Sequence, residues 1–441
     1  MTCDRSRRRF LESTLALGTV TLAGCALLES DDHPPIDATA AELTAIAEIE
    51  RPSRLEELPV EVGDERVEEG IERVETLLEP IPDAAELADE IPNEAVREYV
   101  DETRERARDG LEGIEEEPTN YARLSSLSPP RRRAAESEGA YAAATDDRTP
   151  DEVEEWLADL EEELVTTESA LTRVGIDDES QHAVVVYGAV ERELETAGRF
   201  VDNAHRPMPG KSTVEAVAEL ASRYERAAAS LEEAQYLVDR QDDAGDRPLD
   251  DEFETAAADL LADLEDDVEE LPSFESHDLA EELFDAQVEG TPRAWVGDTA
   301  IRRTYASYDD VPAHLENERF ARALHELHAA ETGRRAIDRL RSLVDDGGLE
   351  RPDDADDVQD AKRDAIDAIE TTREETAHPY LVGQSLDTAM SAVGGGDRRL
   401  ERDADRSSDR AAVNATGEYA YAAAWARALP AATEWLVDAL P

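Results

Sequence analysis

From Val153 onward, apolar residues return every three or four positions: Val153, Trp156, Leu157, Leu160, Leu164, Leu171 and Val174. On a helix of 3.6 residues per turn this spacing draws one stripe, so the segment buries a single face against a neighbour. Leu249, Phe253, Leu260, Leu264, Val268 and Leu271 repeat the pattern, and Phe320, Leu324, Leu327, Ile337, Leu340 and Val344 repeat it again. Thr149-Pro150-Asp151-Glu152 opens the first stripe as a capping box with proline at the first helical position. Further helices are expected over 66–79, 94–116, 178–204, 213–240, 354–377 and 410–440, with Pro430 kinking or dividing the last. No stretch alternates apolar and polar residues long enough to require a sheet, and Leu-Pro-Val-Glu-Val at 58–62 is the best strand candidate. The spacing predicts an all-α fold, a long-helix bundle.

Breaks in this pattern are few. Residues 118–149 mix Ser128-Pro129-Pro130 with arginines and small residues, and Gly394-Gly395-Gly396 is expected to end a helix. No repeat of fixed period is evident. The division expected is a signal at 1–24, a tether at 25–35, a smaller N-terminal helical region at 36–145 and the main bundle at 149–441.

The first residues have a different logic. Arg5, Arg7, Arg8 and Arg9 precede an uncharged run from Ser13 to Gly24, which Cys25 follows. About a dozen residues cannot cross a ~30 Å hydrocarbon core, but they make a signal-peptide apolar region with its positive charges on the correct side. Ser6-Arg7-Arg8-Arg9-Phe10-Leu11 resembles the twin-arginine export motif, with Glu12 where that motif often has lysine. Leu22-Ala23-Gly24-Cys25 resembles a lipobox. The resemblance covers these residues alone. It implies passage through the export machinery in a folded state, cleavage before Cys25 and a lipid on its sulfur. The protein is then held at the outer face of the cell membrane.

Charge sets the medium. The formal net charge is -64, and only Lys211 and Lys362 are lysine among 45 basic residues. Abundant Asp and Glu with arginine in place of lysine is similar to proteins of extreme halophiles, haloarchaeal in type. Repulsion on this scale opposes a compact state in dilute buffer and is screened within about 3 Å at molar salt. No basic patch of any length exists, which excludes nucleic acid as a partner. Cys3 and Cys25 are the only cysteines, so the body after Cys25 forms no internal disulfide.

Three groups of residues carry possible chemistry. Gly210-Lys211-Ser212 has the tail of a phosphate loop but lacks its leading glycine, and Ser212 with Glu215 reads more simply as a helix cap. Glu179-x-x-His182 and Glu375-x-x-His378 each set a carboxylate and an imidazole one helical turn apart, the half-site of di-metal bundles. His325, His328 and Glu331 stack three ligand types in succession, and such donors suit iron, manganese or zinc. Against this, eight histidines in so acidic a chain produce these spacings by composition alone. In residues 291–312, Arg293, Arg302 and Arg303 gather with Trp295, Tyr305 and Tyr308, either as an interface or as a helix wall neutralising nearby carboxylates. Asn414-Ala415-Thr416 is a glycosylation acceptor pattern.

Together these features lead to the expectation of a membrane-anchored extracytoplasmic lipoprotein of a halophile. Its expected role is binding or scaffolding without catalysis or cofactor, toward a protein or small-molecule partner. The alternative is a metal-binding helical bundle, ferritin-like or oxidase-like.

Overall fold

The computed structural model describes residues 34–53, 57–146, 148–176, 179–206, 210–274 and 276–440. The export residues Arg7, Arg8, Phe10 and Leu11, and Cys25, lie outside them. The fold is all-α. The first helices are α1 (Ala40–Ala47), α2 (Asp64–Leu78), α3 (Ala84–Glu90), α4 (Glu94–Glu112), α5 (Asn120–Ser126) and α6 (Ser128–Thr145). Next come α7 (Pro150–Ala170), α8 (Ser180–Ala204), α9 (Thr213–Ala244), α10 (Asp250–Glu269) and α11 (Leu279–Phe284). The last are α12 (Pro292–Glu316), α13 (Phe320–Asp345), α14 (Ala355–Glu375), α15 (Pro379–Asp403) and α16 (Ser408–Ala439). Two-residue strands, β1 (Val174–Gly175) and β2 (Arg247–Pro248), pair antiparallel with Val174 opposite Pro248. Among the described residues no helix is long and apolar enough to cross a membrane.

Local signals place the ends. Thr149 with Glu152 and Ser212 with Glu215 form capping boxes at α7 and α9. The stripe of α7 buries Val153, Leu157, Leu160 and Leu164, while Trp156 remains 38% exposed under the Arg148 guanidinium. Leu249, Phe253, Leu260, Leu264, Val268 and Leu271 are all buried.

Several expectations are corrected. Residues 58–62 form no strand; Leu58, Val60 and Val62 instead insert into the core that α7, α8 and α9 share. Residues 118–149 are not a break, because α5 and α6 occupy most of them. Pro129 and Pro130 sit in the first turn of α6, where no backbone N–H is required. Gly394, Gly395 and Gly396 lie inside α15. A side chain at Gly396 would stand 2.5 Å from Tyr419 Cε1, and one at Gly395 would stand 3.0 Å from the Glu418 carboxylate. The glycines thus serve a close crossing of α15 and α16. Pro430 lies within α16, which is not divided.

Residues Ile36–Pro441 form one compact unit, and its packing runs across the turn between α6 and α7. Helix α6 lies along α9, where a Cβ on Gly139 would stand 2.9 Å from that of Ala221. One apolar core centres on α7 to α10, a second on α12 to α16 with α1, and a third on α2, α3, α4 and α6. Within the first core a buried ion pair fastens α8 to the start of α13. Glu191 of α8 accepts from the Ala321 and Arg322 N–H groups at the start of α13, at 3.3 and 2.7 Å, and pairs with Arg173 at 2.6 Å.

Helix α1 is held in a further way. Lys362 of α14 is fully buried, and its ammonium donates to the carbonyls of Ile46, Ala47 and Ile49 at 2.9–3.0 Å. It also lies 2.8 Å from Asp397 Oδ1, which accepts from Tyr419 Oη at 2.7 Å. A cation thus closes the carbonyl end of α1.

Candidate functional site

The residues with metal-ligand spacing do not converge. His328 is fully buried, with Nε2 3.0 Å from Thr433 Oγ1 and Nδ1 2.9 Å from Ser385 Oγ. Burial lowers its pKa to about 4, so the ring is neutral with both nitrogens engaged by hydroxyls. Glu331 turns the other way, where Arg334 grips it at 2.7 and 3.0 Å and Arg335 adds a second contact. Glu179 and His182 pair with each other at 3.2 Å, and His182 also meets the Tyr380 ring edge-on, while His378 lies 3.7 Å from Glu434. Glu375 is the last residue of α14 and makes no joint site with His378. Among the described residues no group of three or more His, Cys, Asp or Glu is placed to hold a metal ion.

The arginines and aromatics of residues 291–312 also separate, because they point around the whole circumference of α12. Arg293 is buried and donates to the Gly348 carbonyl at 2.9 Å and to Glu350. Arg399 lies over the Trp295 ring at 5.3 Å. Arg302 pairs with Asp298 at 2.9 Å and covers Phe274, while Arg303 lies over Tyr421 at 5.2 Å. Tyr305 donates to the Val268 carbonyl at 3.1 Å, and Tyr308 packs against the first core. These residues form a helix wall, and each is engaged within the chain. Asn414 lies half-buried inside α16.

What the fold does bring together is a polar cleft of about 480 Å³ where α5, α8, α12, α13, α15 and α16 meet. Three depressions are larger, about 760, 750 and 580 Å³. The first of these has an alanine floor and an aspartate rim, the second the end of α1. The smaller cleft is the better candidate because ionisable groups with displaced pKa values converge on it.

One wall comes from α8, where the exposed Arg192 interrupts a buried run beginning at Ala183 and Glu193 lies buried beside it. Arg192 Nη2 donates to Tyr121 Oη at 2.7 Å, and its Nε stands 3.5 Å from Glu193 Oε1. Burial pushes the Tyr121 phenol up to about 12. Glu193 Oε2 accepts from Ser230 Oγ of α9 at 2.9 Å. One turn further along α9, Glu233 is buried with Oε1 unpartnered. Burial, and then the charge of Glu193, raise its pKa to about 8 against the pull of Arg192, Arg226 and Arg66.

The opposite wall is α13. Arg322 Nη2 donates to Glu326 Oε1 at 2.9 Å, while Nε is enclosed without a partner. Burial raises the Glu326 pKa, and Arg322 only partly opposes it. His325 lies so close to α8 that a Cβ on Gly188 would stand 2.5 Å from its Nε2. Burial, then Arg322, His328 and Arg192, lower its pKa to about 3. Ser385, which supports His328, also accepts the Trp425 indole N–H on its carbonyl at 2.9 Å.

An imidazole so weakly basic and a phenol so weakly acidic are poorly matched to proton transfer near neutral pH. A cleft with carboxylates, hydroxyls and two aromatic rings is suited to holding a solute. Of these residues only His325 stands out in the sequence by its spacing. Arg192 and Glu193 could have been found as charges set in an otherwise buried helix, whereas Tyr121, Glu233, Arg322 and Trp425 carry no local signal.

Residues 65–247 match a family model described as a domain of unknown function, DUF8262, and residues 250–438 match a second, DUF8264. No curated protein and no solved structure matches the chain. The cleft draws Tyr121, Arg192 and Glu193 from the first matched segment and Arg322, His325, Glu326 and Trp425 from the second. The chain is thus similar to two families in adjoining segments, and the cleft takes its lining from both.

Proposed function

We propose that this protein is a lipid-anchored, extracytoplasmic binding protein of a halophile, which receives a small polar solute in the cleft between α8 and α13. The cleft carries this reading: a cavity of about 480 Å³ has the volume of a small-molecule site, and its polar groups converge from separate helices. The location rests on Arg7, Arg8, Phe10, Leu11 and Cys25. The halophile assignment rests on the net charge of -64 and the near-absence of lysine.

A thermal-shift screen of polar solutes against the full-length protein in molar KCl and detergent tests the binding role. Saturable stabilisation by one compound is expected, lost in Tyr121→Phe/Ser385→Ala and kept in Arg427→Ala at the larger depression. Stabilisation by no compound would remove the reading. The anchor is tested separately: Cys25→Ser should shift the protein from the membrane fraction into the medium, and unchanged retention would count against it.

A further inference from the structure

The chain leaving α1 borders a depression of about 750 Å³, lined on one side by Glu48, Glu50 and Arg51 and on the other by Met390, Gly394 and Arg398 of α15. Two guanidinium groups converge there. A Cβ on Gly394 would clash with Arg51 Nη1 and stand 3.5 Å from Arg398 Nη1, so both meet over the bare backbone of α15. The two nitrogens thus lie within about 6 Å of each other, near enough for one oxyanion to accept from both at about 2.8 Å. Like charges this close repel, and an anion between them relieves the repulsion.

The chain itself does not fill that place. Arg51 meets Asp397 through Nε alone, at 3.3 Å, which leaves both Nη groups uncommitted among the described residues. Asp397 is already shared, since its Oδ1 receives Lys362 at 2.8 Å and Tyr419 Oη at 2.7 Å. Arg398 is exposed and forms no ion pair among the described residues, and Glu48 and Glu50, exposed on the rim, pair with neither arginine. A third guanidinium stands at the border. Arg373 lies 3.8 Å from Met390 Sδ and gives Nη2 to the Ser53 carbonyl at 2.7 Å instead of to a carboxylate. In a chain of net charge -64 this is a local excess of cations. The nearby helix end adds no opposing field, because Lys362 covers the carbonyls of Ile46, Ala47 and Ile49.

We propose that this depression is a second binding site, for a small solute whose carboxylate or phosphate is held between Arg51 and Arg398 above Gly394. It shares no lining residue with the cleft between α8 and α13. A phospholipid headgroup presents the same chemistry, so the test separates the two sources. The full-length protein, in nonionic detergent and molar KCl, is titrated calorimetrically with potassium phosphate, potassium succinate and 1,4-diaminobutane. Micelles of the same detergent carrying phosphatidylglycerol are the fourth titrant. Saturable binding of phosphate or succinate is expected, weakened about tenfold or more in Arg398→Gln and in Gly394→Ala and unchanged in Arg108→Gln on α4. Both site variants should fold: Arg398 is exposed, and the new methyl at 394 displaces only the flexible end of Arg51. Binding confined to the phosphatidylglycerol micelles would overturn the free solute in favour of a headgroup. Binding of diaminobutane alone, silence from all four titrants, or an affinity unchanged in both variants would overturn the site.

Discussion

Glu233 shows how one side chain links stability to pH. Burial holds a proton on its carboxyl up to about 8 in the fold, against 4.5 for an ordinary glutamate. A raised folded pKa contributes stability that is fully present below 4.5 and is lost as pH rises through 8. Glu233→Gln should therefore match the parent in thermal melts at pH 5 and exceed it by a few degrees at pH 9. Equal melting temperatures at both values would mean that the carboxyl is not protonated in the fold. Lys362 is the opposite case, a buried charge with every donor used. Lys362→Met leaves the carbonyls of Ile46, Ala47 and Ile49 unsatisfied and Asp397 with Arg51 as its remaining cation, a loss of about 3–5 kcal/mol. Denaturant melts should give that figure, and hydrogen exchange should rise first in residues 40–47. The sequence shows Lys362 only as one of two lysines, and nothing in its neighbourhood announces burial.

Helices were legible where burial is one-sided. The stripes of α7 and α10 stand out because each has a wet face, and the spacing of Leu249, Phe253, Leu260 and Leu264 follows it. Helix α6 was missed for the converse reason. Its buried residues, Pro130, Arg131, Ala134, Ser137, Gly139 and Ala142 among them, lie all around the axis, so no stripe forms. In α15 the three glycines carry a low helix propensity that tertiary packing overrides, since only a bare backbone admits Tyr419 and Glu418. Gly396→Ala raises intrinsic propensity yet should destabilise by about 1–3 kcal/mol through overpacking against Tyr419. A gain in melting temperature would show the crossing to be looser than described. The half-sites at Glu179 and Glu375 illustrate the limit of spacing: one helical turn sets a pair, and only helix–helix geometry could bring two pairs together. The cleft was illegible for the same reason, because its residues come from six helices far apart in the chain.

The molecule as a whole is an acidic object, with 109 carboxylate side chains against 45 basic ones. At molar salt the repulsion among them is confined to about 3 Å, and in dilute buffer it extends to about 30 Å. Dialysis from molar KCl into dilute buffer should thus remove most of the helical circular dichroism, with recovery when salt is restored. Full retention would refute the role of screening. The entry of the chain into the body has a mechanical side. A lipid tether on Cys25 would deliver any drag on the body at Ile36, whose N–H donates to Asp409 at 3.2 Å beside a single bridge from Asp37 to Asp354. These two contacts meet a pull one after the other, as a seam opens, whereas α1 behind them is bolted by Lys362 to α14 and α15. Single-molecule stretching from the N-terminus should accordingly yield a short early extension, then a larger force step when the ammonium lets go of α1. The small helix would act as a mechanical fuse, yielding before the cleft feels the strain.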